Sequence, residues 1–328
     1  MTAVDISLIH KFLEPRLSEV AALIVSSLRS DVSLLDRTNM SVFSNPGKLL
    51  RPMLTLCAAG ISGGVNDDSV HYAAATELLH NATLLHDDVV DGSDLRRGKP
   101  TVSSLLGSTA AVLLGDFWLV KALDVILGAS HYSEPVVRIF GRTISQLAEG
   151  EIFQMEKSGA GDTSMDDYLR IVHSKTASLF ETAVICGAIS ADAPERVKAA
   201  LKAYAGHMGV AFQMKDDVLD YTGGEATGKP RGQDLKERKI TLPLLCAFRN
   251  VSPEEEASVR DELTHDEDAG SMAARVRDFV LGHEGIEGAE TIIAEEIALA
   301  TECISTLPAS DWKDRLSALA GFVGERAE

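Results

Sequence analysis

Aromatic side chains are scarce, 5% of 328 residues, which counts against a β-sandwich, whose strands favour aromatic and β-branched residues. Cysteine is scarcer still. Cys57, Cys186, Cys246 and Cys303 stand singly among small or aliphatic neighbours, with no metal-ligand or redox spacing, so buried free thiols in a reducing cytoplasm are expected. No stretch approaches the roughly 18 uncharged apolar residues of a membrane span. The segment Met1–Phe12 carries Asp5 and no basic region ahead of its apolar residues, so neither a membrane anchor nor a signal peptide is expected. Basic residues are outnumbered, 31 Lys+Arg against 49 Asp+Glu, for a net charge of −18. Such a surface repels phosphate backbones and excludes nucleic acid as a partner. It would repel a small anionic substrate too, unless metal ions invert the local sign.

What is present is helical periodicity. Ser69–Leu85 contains neither Gly nor Pro, and Ala75, Leu78, Leu79, Ala82 and Leu85 recur at three- and four-residue steps. Similar patterns predict helices over Ser103–Leu127, Glu134–Lys157, Asp166–Ile189, Glu195–Asp220 and Ala289–Ser305. Ser164 three residues before Asp167, and Ser252-Pro253 before three glutamates, are helix starts. No alternating strand series accompanies them, so the fold class is all-α. With no linker or composition shift, one domain spanning 1–328 is expected, although long for a single core.

The sequence repeats one pattern, Asp-Asp-x-x-Asp, at Asp87-Asp88-x-x-Asp91 and Asp216-Asp217-x-x-Asp220. Twenty-five aspartates in 328 residues predict only about 0.14 chance matches, so two are informative. Positions i and i+4 share a helix face, and like charges there repel by roughly 0.2–0.5 kcal/mol. Both clusters also end long helical patterns, where the macrodipole disfavours anions. A solvated acidic helix end is the ordinary alternative, but Leu84, Leu85, Val89 and Val90, like Val210, Met214, Val218 and Leu219, surround the clusters with aliphatic side chains. A bound cation removes both repulsions. Carboxylate ligands without thiols select a hard ion, and Mg²⁺ completes its octahedron with water and substrate phosphate oxygens. The clusters therefore predict a metal–diphosphate site.

Cations gather beside them. Gly47-Lys-Leu-Leu-Arg-Pro52 and Asp94-Leu-Arg-Arg-Gly-Lys-Pro-Thr101 flank the first cluster; Lys229, Arg231, Lys236, Arg238 and Lys239 follow the second. Guanidinium groups suit bidentate phosphate contacts and lysines suit point-charge ones. Gly223–Lys229 imitates a P-loop, but Pro230 stands where Ser or Thr must bind Mg²⁺ and no strand precedes it. The six-residue spacing of His80 and His86 does not place them on one helix face, which excludes a paired-histidine metal site.

From about Phe43 onward the chain resembles the trans-isoprenyl diphosphate synthases (polyprenyl synthetases). The matching pieces are Gly47-Lys48-x-x-Arg51-Pro52, Glu77–His80 through Asp91, Leu95-Arg96-Arg97-Gly98-x-Pro100-Thr101, Glu149-Gly-Glu, Lys175-Thr176, Phe212-Gln213 with the second cluster, and Gly228-Lys229 through Asp234, Lys239, Thr241 and Pro243. The resemblance implies a helical bundle around a central cavity, where the two clusters face each other and hold Mg²⁺ on an allylic diphosphate. It implies Asp87, Asp91 and Asp216 as direct ligands, supported by Asp88, Asp217 and Asp220. Lys48, Arg51, His80 and Arg97 would bind isopentenyl diphosphate; Arg96, Lys175, Thr176, Gln213, Lys229 and Lys239 would bind the allylic diphosphate. A homodimer and a loop over Tyr221–Gln233 that closes the cavity are further implications. Lys215 departs from the apolar or amide residue expected beside the second cluster. A terpene cyclase would alter that cluster, and a silent subunit of a heteromeric synthase would lose aspartates or basic ligands; this chain does neither. Small Ala82 and Thr83, where an aromatic restricts the family to short products, predict a polyprenyl chain beyond geranylgeranyl, in the hexaprenyl-to-octaprenyl range, with a short-chain synthase as the alternative. Leu78, Leu79, Phe117 and Trp118 are the next candidate floors, the two aromatics being equally suited to core packing.

Overall fold

The computed structural model describes residues 5–44, 47–96, 98–223, 232–266 and 268–326. Among these, no helix is long and apolar enough to cross a membrane. The contacts group into two compact units. One comprises Met1–Thr143, Leu179–Ala205 and Cys303–Leu319; the other comprises Ile144–Ser178, Gly206–Glu302 and Ala320–Glu328.

The first unit begins with α1 (Ile6–Ser27), α2 (Ser33–Phe43), α3 (Leu50–Ser62) and α4 (Asp67–Val90), then a hairpin of β1 (Leu95–Arg96) and β2 (Lys99–Pro100), then α5 (Val102–Leu106) and α6 (Ser108–Leu127). α4 is its central helix, buried on all sides from Tyr72 to Leu79. It starts at a reciprocal capping box, Asn66 with Ser69, a device worth about 1 kcal/mol. The single helix expected over Ser103–Leu127 is two, α5 and α6, because Gly107 adopts φ +86°, a conformation that glycine supplies without strain. Trp118 of α6 is fully buried. Its indole N–H donates to Asn39 (2.8 Å), whose amide donates to the Leu28 carbonyl (2.7 Å). Asn39 is the buried residue of α2, so a polar bolt docks this helix and fixes the indole.

α7 (Ser133–Ala160), α9 (Ser178–Ser190), α10 (Glu195–Thr222) and α16 (Asp311–Glu325) each contribute residues to both units. Belonging to the second are α8 (Met165–Val172), a π-helical turn (His173–Ala177), α11 (Gln233–Lys236), α12 (Leu242–Phe248), α13 (Pro253–His265), α14 (Ala269–Gly282) and most of α15 (Gly285–Cys303). Ser164 and Ser252 cap α8 and α13 as expected. Asp166–Ile189 is helical throughout, but the π turn interrupts its α geometry. The widened turn is accommodated by absent side chains. A Cβ on Gly209 of α10 would lie 2.6 Å from the Ala177 Cα, and one on Gly150 of α7 would lie 2.6 Å from the Ser174 Cβ.

Cys57, Cys186 and Cys246 are buried and free, while Cys303 is partly exposed. Desolvation pushes the Cys57 thiol up to about 12, so it carries no thiolate at neutral pH. Lys215, the departure from the family pattern, is buried against α15 and pairs with Glu290 at 2.5 Å. His207 and Glu296 pair at 2.7 Å between the same helices.

Candidate active site

Both aspartate clusters fall in the last turns of helices, α4 and α10. Each middle aspartate is turned into the protein: Asp88 is 4% exposed and Asp217 3%. The flanking members are less enclosed. Asp87, Asp216 and Asp220 are half-buried and Asp91 is exposed.

In the first unit, the β1–β2 hairpin brings Arg96 to Asp88, with Nε donating to Oδ1 at 2.7 Å. Arg51, on the first turn of α3, is buried with its guanidinium 4.7 Å from the centre of the Phe180 ring. Lys48 is exposed and the Lys48 carbonyl lies 3.0 Å from His10 Nε2. His80, half-buried, sits seven residues before Asp87 on the same helix face. Arg97, like Lys229 of the second cluster's flank, lies outside the described residues.

The second unit holds a more complete constellation around a cavity of about 90 Å³, whose lining includes Tyr168, Lys175, Gln213, Asp217, Asp234 and Lys239. The π turn presents Lys175 and Thr176. Lys175 bonds to Glu151 and Gln154 of α7. The Thr176 hydroxyl donates to Gln213 Oε1 (2.8 Å), and Gln213 Nε2 donates to Asp217 Oδ1 (3.0 Å). The other Asp217 oxygen accepts from the Tyr168 hydroxyl at 2.6 Å. Burial, with the nearby negative charge of Asp234, holds the Asp217 carboxyl well above the usual carboxylate range. Lys239 pairs with Glu237 at 2.5 Å.

Asp220 accepts from the backbone N–H groups of Gln233 (3.1 Å) and Asp234 (3.2 Å), and so anchors the start of α11. Asp216 is engaged from the far end of the chain. Arg326 Nη2 donates to it at 2.7 Å, and the guanidinium stacks 4.1 Å over Phe212. Tyr168, Gln154 and Arg326 carry no sequence signal that separates them from ordinary helical residues; only tertiary packing brings them here.

Among the described residues no three acidic, imidazole or thiol side chains converge as a ready-made metal cage. Mg²⁺ ordinarily takes only one or two protein carboxylates and fills its octahedron with water and phosphate oxygens, so a site for it needs no such cage. The buried hydroxyls of Thr241, which lines the cavity, and Tyr221 lie side by side without a well-formed hydrogen bond among the described residues. Two lysines suit an oxyanion, and half-exposed carboxylates suit a hard cation.

Helices, paired clusters and cationic cavity define a prenyltransferase of the all-α isoprenoid synthase fold. The sequence model of the Polyprenyl synthetase family matches residues 32–279, and the chain belongs to that family. It is 37% identical to an octaprenyl diphosphate synthase of Haemophilus influenzae over 95% of this chain and 94% of that one. It is 36% identical to an all-trans-nonaprenyl-diphosphate synthase of Rhodobacter capsulatus, over 92% of each. A crystal structure of a polyprenyl synthase from Caulobacter crescentus, complexed with calcium and isoprenyl diphosphate, superposes with a TM-score of 0.93 at 34% identity, covering all of both chains.

Proposed function

We propose that this chain is a Mg²⁺-dependent prenyltransferase, acting as one functional unit over its whole length. It condenses isopentenyl diphosphate head-to-tail with an allylic diphosphate to give an all-trans polyprenyl diphosphate of hexaprenyl-to-octaprenyl length. The observation that carries this reading is the cavity of the second unit. In a chain of net charge −18, Lys175 and Lys239 gather with Gln213, Asp217 and Asp234 around one cavity, cationic donors for a diphosphate beside carboxylates for its counter-ions. The octaprenyl relative falls within that range and the nonaprenyl relative one unit beyond it, so both support a product longer than geranylgeranyl.

Asp87, Asp91 and Asp216 would hold the ions, supported by Asp88, Asp217 and Asp220. Bound divalent cations would supply positive charge to the departing diphosphate. Lys175, Lys239 and Lys229, with Arg96, Thr176 and Gln213, orient the allylic diphosphate so that its C–O bond ionises toward fixed positive charge. Lys48, Arg51, His80 and Arg97 hold isopentenyl diphosphate for attack by its double bond, and the proton then lost passes to the released diphosphate. No nucleophilic side chain is required. Aliphatic residues around the carbocation exclude water. Thr83, one turn before Asp87, is half-buried and small, whereas Leu78, Leu79 and Trp118 are sealed in the core, so Thr83 marks the side of α4 along which a tail would grow.

Purified protein incubated with Mg²⁺, farnesyl diphosphate and labelled isopentenyl diphosphate should yield a product ladder ending beyond geranylgeranyl, read by chromatography after dephosphorylation. A ladder ending at geranylgeranyl or shorter keeps the reaction and removes the length. No incorporation from folded protein favours a silent subunit.

We infer a cytoplasmic homodimer. On α6, Leu113, Val120 and Leu127 are 63%, 52% and 62% exposed at helical spacing, an apolar stripe suited to a second copy. Replacing Leu113 and Val120 together by glutamate is expected to convert the dimer to monomer in sedimentation velocity, with the helical circular dichroism unchanged.

A further inference from the structure

We propose that Tyr168 is a positioning residue for the diphosphate end of the site, acting through Asp217; the inference rests on the allylic-diphosphate reading of the second unit's cavity.

The geometry is a closed clamp. One hydrogen-bonded path leaves the α8 segment at Tyr168, reaches Asp217 Oδ2 on α10 (2.6 Å), continues from Oδ1 to Gln213 (3.0 Å), and returns at Thr176 (2.8 Å). The two ends of the path are eight residues apart on one continuous helical stretch, and the π turn with Lys175 lies between them. A π turn is an uncommon local geometry, so its stability here depends on what holds it from outside. Gly209 and Gly150 let the neighbouring helices approach it, and the clamp fixes its distance from α10.

Tyr168 contributes what the other members cannot. The residue is 3% exposed, and its hydroxyl donates to Asp217 Oδ2 from a fixed, buried position. Asp217 faces the charge of Asp234 across the same cavity. With donors on both oxygens, Asp217 stays in place; without the phenol, one oxygen loses its partner and the carboxyl can turn away. Lys175 and Thr176 would then lose their fixed relation to α10. Residues behind a metal or phosphate site typically change affinity by about 10–100-fold when removed.

The test is Tyr168→Phe, which keeps the ring and deletes the hydroxyl. Binding of inorganic diphosphate with Mg²⁺ is measured by titration calorimetry, beside KM for farnesyl diphosphate and for isopentenyl diphosphate. Diphosphate affinity is expected to fall, and KM for the allylic substrate to rise, each by about 10–100-fold, with KM for isopentenyl diphosphate unchanged. Combining Y168F with Asp217→Asn should weaken diphosphate binding no more than D217N alone, because residues acting through one another are not additive. Unchanged affinity and KM in folded Y168F, or additive losses in the double variant, overturn the assignment. If Y168F does not fold, Tyr168→His, whose ring N–H can donate, carries the comparison. Wild-type affinity in it supports the clamp, and a tenfold or greater loss counts against it. A wild-type protein that binds no diphosphate with Mg²⁺ and makes no product defeats the underlying reading instead.

Discussion

Asparagine at position 216 should lower kcat/KM by roughly 10²–10³-fold, the usual cost of deleting one preorganised electrostatic group, and should weaken Mn²⁺ binding measured by electron paramagnetic resonance. Asparagine is the informative replacement because Asp216 has two jobs in the structure. Its carboxylate belongs to the proposed metal set, and it also pairs with Arg326, whose side chain is only 9% exposed. Alanine would remove the acceptor of this pair, in which the Asp216 side chain is 38% exposed, and so disturb the packing of Arg326 as well. Loss of activity in D216A would then mix metal binding with displacement of the chain end. The asparagine side-chain oxygen still accepts from Arg326 while the charge is gone. If D216N keeps wild-type metal affinity and turnover, Asp216 serves the chain end and not the ion.

The second large effect is expected from a residue with no side chain. Gly209→Ala should destabilise the protein by about 1–3 kcal/mol in denaturant unfolding, the range for overpacking, and should raise KM for the allylic substrate. The new Cβ would stand 2.6 Å from the Ala177 Cα and 2.9 Å from the Ala177 Cβ. Backbone offers no flexible side-chain end to swing aside. Nor can the π turn retreat toward α7, since Gly150 already lies where a Cβ would meet Ser174 at 2.6 Å. The strain therefore falls on the turn that carries Lys175 and Thr176. A G209A protein with unchanged stability and KM would mean that the turn tolerates movement.

The same turn shows where sequence reasoning stops. Helices, their serine caps and both aspartate clusters are legible because each depends on residues three or four apart. Gly107 splits the helix expected over Ser103–Leu127, although the periodicity on either side of it favours one continuous helix. The π turn is different. His173-Ser-Lys-Thr-Ala177 carries no local mark of altered geometry, and the two glycines that accommodate it stand on other helices, Gly150 24 positions before Ser174 and Gly209 32 positions after Ala177. Trp118 is a parallel case. Its two sequence readings, cavity floor and core packing, differ only through Asn39, 79 residues earlier. Arg326 meets Asp216 across 110 residues, and no motif spacing encodes that.

Burial of the middle aspartates changes what the repeated motif means as information. Three identical letters conceal two kinds of position. Asp88 and Asp217 point inward onto fixed donors, Arg96 for one and Tyr168 with Gln213 for the other, and Asp220 is occupied by backbone N–H groups. Asp91 is exposed and Asp87 half-buried, while Asp216, also half-buried, pairs with Arg326. At a tethered position the requirement is for an acceptor of the right reach, which an amide can partly meet; at an outward position it is for charge itself. Tolerance to substitution should thus differ from position to position within the motif, and a drifting relative could exchange a tethered aspartate for an amide while retaining its chemistry.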